Sequence, residues 1–348
     1  MENLKWFSFS FVLKFLYMNM NINLKKTMNK LKVLCIHHTD LDGAMSAAVV
    51  GMYHRTDDIT YKLYNYGWEI KPEELQGYDL IYAVDISFFQ GGYDWVYRTP
   101  NLIAIDHHIG AIKKEELPEF AWVKNVPGLR VSENKGACEL TWEYLFPGLQ
   151  KPKLLEYLSA YDVWDKNRFD WMIVEEIEYG AKYSFGLSPE AIINFIDKEQ
   201  SPESLRQIGY ILLSNQEKSG KGKLGNNGFY INSFFGYRVM MLNTQDFSSM
   251  SFMSYYNSKY FDIMIPFAII PSTEHPGEVY VRVSFYTENP NIDVSLIAEK
   301  FSGSGHKGSA GGSMTLETLK EILSCSCSLK EYMKSIGFEG NKSKRIRK

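Results

Sequence analysis

Three apolar, strand-like runs in this chain each lead straight into residues that bind metals: LKVLCIHHTDLDG at 31–43, DLIYAVDIS at 79–87 and NLIAIDHH at 101–108. Unbroken apolar runs such as 33–36, 80–84 and 102–105 suit strands covered on both faces, the condition of a parallel sheet. Open parallel sheets bind ligands beyond the carboxyl ends of their strands. His38, Asp40, Asp42, Asp85, Asp106, His107 and His108 all follow such an end, so residues distant in sequence are expected to converge along one sheet edge.

At 348 residues the chain is long for one hydrophobic core, and two domains are expected. Its formal net charge of -3 gives no broad pull toward duplex nucleic acid, which argues against long nonspecific DNA tracks. The four cysteines Cys35, Cys138, Cys325 and Cys327 match neither a zinc knuckle nor a redox dithiol, and imply reduced, buried thiols in a cytoplasmic protein. The apolar start, WFSFSFVLKFLYM, carries Lys14 and falls short of the roughly 20 residues of a membrane helix. It lacks the basic start and small-residue cleavage site of a secretory signal. Residues 1–27 are therefore expected to be a poorly ordered extension, with an amphipathic anchor as the alternative.

The first apolar run is followed by Gly43 and the small-residue helix AMSAAVVGMYHR, which opens an α/β alternation. Further strands are expected at 61–66 and 121–126 and helices at 73–76, 136–146 and 152–160, giving a domain over 28–190. Residues 191–228 read as a helical linker whose KSGKGKLGNNG end is exposed. A smaller mixed α+β domain is expected over 229–337, with strands at 229–243, 261–270 and 279–287, a helix DVSLIAEKF, a glycine loop and a last helix from Thr315. Residues 338–348 form a basic tail.

In His38-Thr-Asp40-Leu-Asp42-Gly43, alternate positions of an extended loop present an imidazole and two carboxylates together. Asp85 and His107 add ligands from neighbouring strands. Mostly oxygen donors with one or two imidazoles favour Mn²⁺ or Mg²⁺ over zinc. Two such ions about 3.5 to 4 Å apart activate water and stabilise an in-line displacement at phosphorus. Taken singly, an Asp after a strand is explained by capping of the next helix. A doubled His after a buried strand ending in Asp, however, costs stability unless it is paired or metal-bound.

H38-T-D40-L-D42-G, V84-D85 and D106-H107-H108 resemble the first three motifs of the DHH phosphoesterase superfamily. G136-A-C-E-L-T-W is similar to that family's next helix, and A160-Y-D162-V-W-D165 to its fourth motif, with Asp162 the matching ligand and Asp165 the alternate. The stretch from Ile292 through G303-S-G305-H306 to Gly311 and Gly312 resembles the G-G-G-H-x-x-A-A-G signature of the DHH-associated C-terminal domain. The resemblance spans about residues 31 to 312. Gly303, Gly305 and Gly308 also satisfy G-x-G-x-x-G, but this stretch follows a helix, whereas a dinucleotide fingerprint follows a strand.

The resemblance implies that His38, Asp40, Asp42, Asp85, His107 and Asp162 bind two Mn²⁺ ions, Mg²⁺ being the alternative, with Asp85 bridging. It implies that His108 contacts the scissile phosphate and that Asp106 orients the histidines. Gly303, Gly305, His306 and Gly311 would hold substrate phosphate. Tyr286 stands where the family carries an Arg, and Arg282, four residues earlier on the same strand face, is the candidate to replace its charge. The expected protein is an α/β enzyme with its site in the cleft between domains, closest to the nano-RNases that degrade short oligonucleotides, and also acting on nucleoside 3',5'-bisphosphate. A cyclic-dinucleotide phosphodiesterase, a RecJ-like single-strand exonuclease and an inactive nucleotide-binding module are the alternatives. The expected partners are a short single-stranded oligonucleotide and a second copy of the chain, with no membrane.

Overall fold

The computed structural model describes residues 30–341 except Gly67, Glu133 and 273–276; the expected N-terminal extension and residues 342–348 of the basic tail lie outside the described residues. Five strands, β1 (Lys32–His38), β2 (Asp58–Tyr64), β3 (Leu80–Val84), β4 (Leu102–Asp106) and β5 (Gly128–Arg130), form a wholly parallel sheet in the order β2-β1-β3-β4-β5. The unbroken apolar runs are explained by burial on both sides. Val33 and Cys35 pack on one face against helix α1 (Leu41–Tyr53), and Leu34 and Ile36 pack on the other with Phe88, Tyr97 and Val123. Helix α1 lies close to the sheet because Ala44, Ser46, Ala47 and Ala48, all fully buried, are small.

Helices α2 (Ile109–Glu115), α3 (Ala137–Leu145), α4 (Lys153–Asp162), α5 (Trp171–Phe185), α6 (Pro189–Asp197) and α7 (Pro202–Asn227) follow. The stretch 121–126, expected as a strand, is a 3-10 turn over Ala121–Asn125, and the fifth strand comes later. Only Val123 of that turn is buried, too little apolar surface for an inner strand. Gly128 instead permits the pairing: a β-carbon there would lie 1.8 Å from the Ala104 carbonyl oxygen, and its φ is +131°.

The expected exposed linker is likewise helical, through Asn227. Two of its glycines are contact points, since a β-carbon at Gly209 would lie 1.7 Å from the Glu176 carbonyl oxygen and one at Gly220 2.4 Å from that of Ser251. At these two positions close packing on α5 and on the 3-10 turn Ser249–Phe252 thus outweighs the low helix propensity of glycine.

The second sheet has seven strands in the order β10-β11-β9-β8-β7-β6-β12: β6 (Gly228–Phe234), β7 (Tyr237–Asn243), β8 (Ile263–Pro271), β9 (Val279–Tyr286), β10 (Ser304–His306), β11 (Ser309–Met314) and β12 (Ser326–Ser328). All its pairs are antiparallel except β7 with β8. The single strand expected at 229–243 is a hairpin, because Phe235 (φ +50°) and Gly236 (φ +84°) form the two-residue turn that such hairpins use. Helices α8 (Ser295–Ala298) and α9 (Leu316–Ser324) cover one face, while α10 (Leu329–Ser335) and the end of α7 cover part of the other. The glycine loop is the β10–β11 hairpin at the sheet edge. Cys35 and Cys138 are buried and unbridged as expected, but Cys325 and Cys327 are exposed, the first just before the short edge strand β12 and the second within it. No helix among the described residues is long and apolar enough to cross a membrane.

Candidate metal centre

The segments that follow β1, β3 and β4 at one edge of the first sheet, joined by the end of α4, bring their polar residues into one cluster. After β1, Asp40 caps α1 by accepting from the Gly43 amide at 2.9 Å, so the capping role open to such an Asp is real. Its other oxygen faces His38 Nδ1 at 2.5 Å, and Asp85 Oδ2 lies 3.7 Å from the same nitrogen. Gly43 is required by proximity rather than by its dihedrals, since a β-carbon would lie 2.5 Å from the His38 carbonyl oxygen. Asp42, in the first turn of α1, is buried and accepts from the Ala137 and Cys138 amides at 2.5 and 3.1 Å, which seats it on the N-terminus of α3.

Asp85 leaves β3 with φ +60°, a strained conformation for a residue with a side chain. After β4, His107 Nε2 lies 3.4 Å from Asp85 Oδ1, 3.2 Å from Asp162 Oδ2 and 3.9 Å from Asp42 Oδ2. Asp106 Oδ1 accepts from the His107 amide at 2.8 Å and from His108 Nδ1 at 2.7 Å, fixing both histidines. Asp162 enters the cluster from the end of α4. Asp165 does not: it accepts from Asn134 Nδ2 and from the Asn167 amide.

From the second sheet, His306 Nε2 reaches within 3.9 Å of Asp162 Oδ2, and its ring stacks toward His108 at 6.0 Å between centroids. The two sheets therefore meet at this cluster. Gly303 and Gly305 serve the hairpin itself, with β-carbons that would lie 1.9 Å from the Gly311 oxygen and 2.5 Å from Ala310 Cα. Gly311 pairs with Ser304 and so lies on the His306 face of the hairpin. Arg282 shares a strand face with Tyr286 but stacks on Phe247 at 4.7 Å, about 13 Å along the strand from Tyr286 by strand rise. Tyr286 donates its hydroxyl to the Phe247 carbonyl.

Sequence reasoning missed several neighbours. Asn65 Oδ1 lies 3.3 Å from His38 Nε2, and the Tyr66 ring lies 5.5 Å from that of His38. Both follow β2, so the strand-end pattern was the signal that could have found them. Trp164, at φ +59°, packs against Gly308 of the hairpin, where a β-carbon would lie 2.6 Å from the indole. Lys166 pairs with Glu288 at 2.7 Å across the same junction.

The electrostatics are those of crowded carboxylates. Burial, then the charges of Asp40, Asp42 and Asp162, push Asp85 well above the usual carboxylate range. Burial likewise raises Asp42 and Asp162 to about 7, with the charge of Asp162 adding to the first and that of Asp40 to the second. His107 is held down by burial and by His108, and His306 falls to about 4 for the same two kinds of reason. For His108 burial works against charge, yet Asp106 more than offsets it and raises the imidazole to about 9. Both oxygens of Asp85, Asp106 Oδ2 and Asp162 Oδ2 are buried with no hydrogen-bond partner. Buried polar atoms are rarely left so, and a cation is the group that these donors fit. The donor sets His38, Asp40, Asp85 and Asp42, His107, Asp162 each converge within 4.8 Å.

No protein-family model matches the chain, and no curated protein sequence does. Solved structures do. The DHH domain of a protein described as a member of a ribosomal-protein family is 12% identical, with 90% of this chain and 88% of that one covered at a TM-score of 0.52. RecJ from Thermus thermophilus in complex with Mn²⁺ is 13% identical over 88% of this chain and 52% of its own, at 0.49. The pGpG-specific phosphodiesterase PggH from Vibrio cholerae is 12% identical over 88% and 99%, at 0.45. Only the first overlap is close enough to bear on the fold, and at that identity it bears on the fold alone. The parallel sheet followed by a second, mixed sheet is a DHH-type architecture with a C-terminal domain.

Proposed function

We propose that this chain is a divalent-metal-dependent phosphodiesterase that hydrolyses short single-stranded oligonucleotides, with Mn²⁺ as its preferred ion and nucleoside 3',5'-bisphosphate as a further substrate. The observation that carries this reading is the set of partnerless buried oxygens on Asp85 and Asp162, in contact range of His38 and His107, with a further partnerless oxygen on Asp106, whose other oxygen holds His108. Burying uncompensated carboxylates costs several kcal/mol each, and divalent cations would offset that cost. The donors are carboxylates and imidazoles; Cys138, beside Asp42, keeps its proton because burial pushes its thiol up. Such a set suits Mn²⁺ or Mg²⁺.

His38, Asp40 and Asp85 would hold one ion, and Asp42, His107 and Asp162 the other, with Asp85 between them since it reaches both His38 and His107. When bound, the pair supplies Lewis-acid activation of water and stabilises charge on the phosphoryl oxygens. Asp106 holds His108 through Nδ1 and leaves Nε2 for a substrate phosphate oxygen. His306, neutral at pH 7, donates from the opposite wall of the cleft, so the phosphate is gripped by both domains. A short substrate is supported by the net charge of -3, which provides no extended basic track. The test is a panel of di- to decanucleotides, nucleoside 3',5'-bisphosphate, cyclic dinucleotides and pyrophosphate, each assayed with Mn²⁺. Dinucleotides as the best substrates support the reading, and pyrophosphate as the best substrate rejects it.

A further inference from the structure

Asp42 and Asp162, two of the three donors around one ion position, belong to different elements, and their spacing depends on how α3 and α4 are joined. Asp42 rests on the first amides of α3, those of Ala137 and Cys138. Asp162 is the last residue of α4, and Ser159 stands one turn before it, on the same helix face. Ser159 Oγ accepts from the Gly136 amide at 2.9 Å, at the cap of α3, and donates to Glu139 Oε2 at 2.7 Å, in the first turn of α3. Ser159 is fully buried and Glu139 is 2% exposed. Gly136 fits between the two carboxylate supports only without a side chain, since a β-carbon would lie 2.6 Å from Asp42 Oδ1 and 3.1 Å from Ser159 Cα. Glu139 is in turn pinned by Arg168 at 2.7 Å and by Lys151 at 2.6 Å.

We propose that Ser159, held by Glu139, is a positioning residue that sets the separation of Asp42 and Asp162 and thereby the affinity of the ion position they share with His107. The inference rests on the metal-centre reading above. The ion position of His38, Asp40 and Asp85 takes no donor from α3 or α4, so it should be indifferent to this joint. A hydroxyl that served the stability of the fold alone would affect both positions alike.

The full chain, stripped of metal, is titrated with MnCl₂ alone by calorimetry and by electron paramagnetic resonance of bound Mn²⁺, with circular dichroism to verify folding. The wild-type chain should bind two ions. Ser159→Ala should weaken one of them by about ten- to a hundredfold, the usual loss for a group that orients a ligand, and leave the other unchanged. In a His38→Ala background the remaining ion should be the sensitive one. Glu139→Gln, which retains an acceptor for Ser159 but weakens the hold of Arg168, should produce a smaller loss at the same position; it decides the matter alone if Ser159→Ala does not fold. Equal weakening of both positions, or of neither, in a folded variant overturns the proposal. Failure of the wild-type chain to bind Mn²⁺ overturns the metal-centre reading instead.

Discussion

Asp85 and His107 lie 3.4 Å apart, Oδ1 to Nε2, at the carboxyl ends of adjacent strands, and neither Asp85 oxygen has a hydrogen-bond partner. Parallel strands β3 and β4 pair in register from Ile81 with Leu102 to Val84 with Ile105, which brings these two residues together although they are distant in sequence. If Asp85 lies between two ions and His107 helps to hold one of them, chelation should abolish phosphodiester hydrolysis and Mn²⁺ should restore it. Asp85→Asn and His107→Ala should each lower kcat by at least about a hundredfold without unfolding the chain. Full activity of either folded variant, or of wild type in excess chelator, would refute two-metal chemistry.

The crowded carboxylates set a pH dependence of unusual sign. Asp42 and Asp162 titrate at about 7 in the metal-free fold, and near the ordinary aspartate value of 3.8 when unfolded. Between those values the folded chain holds protons that the unfolded chain has released, so these two groups make metal-free stability fall as pH rises through that window. A bound cation must displace the same protons, and its affinity therefore rises over the same range. The difference in melting temperature between the Mn²⁺-loaded and metal-free protein should widen as pH rises from the ordinary aspartate range toward neutrality. A constant difference would mean that these carboxylates are not the ligands.

His306 lies outside both three-donor sets assigned to the ions yet faces Asp162 from the second sheet, 3.9 Å away. His306→Ala should raise KM for dinucleotides while both Mn²⁺ ions stay bound, by an amount corresponding to roughly 1.5 to 3 kcal/mol for a hydrogen bond to a charged phosphate. Loss of an ion in that variant, measured by metal analysis, would instead make His306 a ligand.

Tyr286 lies on the inner strand β9 and pairs with Ser309, whose other neighbour is His306 on the edge strand β10, and its hydroxyl is committed to the Phe247 carbonyl. Tyr286→Arg should lower KM for oligonucleotides more than it changes kcat, because the added charge acts in binding. A change confined to kcat would place this position at the reacting phosphate.

Gly43 has no room for a methyl group beside His38. Gly43→Ala should cost about 1 to 3 kcal/mol in chemical denaturation, the usual penalty of overpacking, and should also weaken Mn²⁺ binding, since α1 carries Asp42. Unchanged stability would show that the start of α1 yields easily.

The parallel sheet was legible because burial on both faces leaves an unbroken apolar run, and that pattern is local. The polar cluster was legible for a related reason: ligands bind beyond the carboxyl ends of parallel strands, so His38, Asp85, Asp106 and His107 announced their meeting at one sheet edge by what precedes them. Asn65 and Tyr66 follow a strand of mixed polarity, β2 at the sheet margin, and carried a weaker version of the same signal. What sequence could not determine was spacing between elements. Gly209 and Gly220 of α7 and Gly303 and Gly305 of the β10–β11 hairpin look like loop formers in the sequence, and only the fold shows the close approach of other backbone to each of them. The fifth strand was misplaced because Gly128 pairs with β4 through a backbone contact that no hydrophobic pattern encodes. The seat of Asp42 on α3, and the joint through Ser159 to Asp162, depend on the packing of helices whose residues are about a hundred positions away from α1, and only the tertiary structure decides such distances.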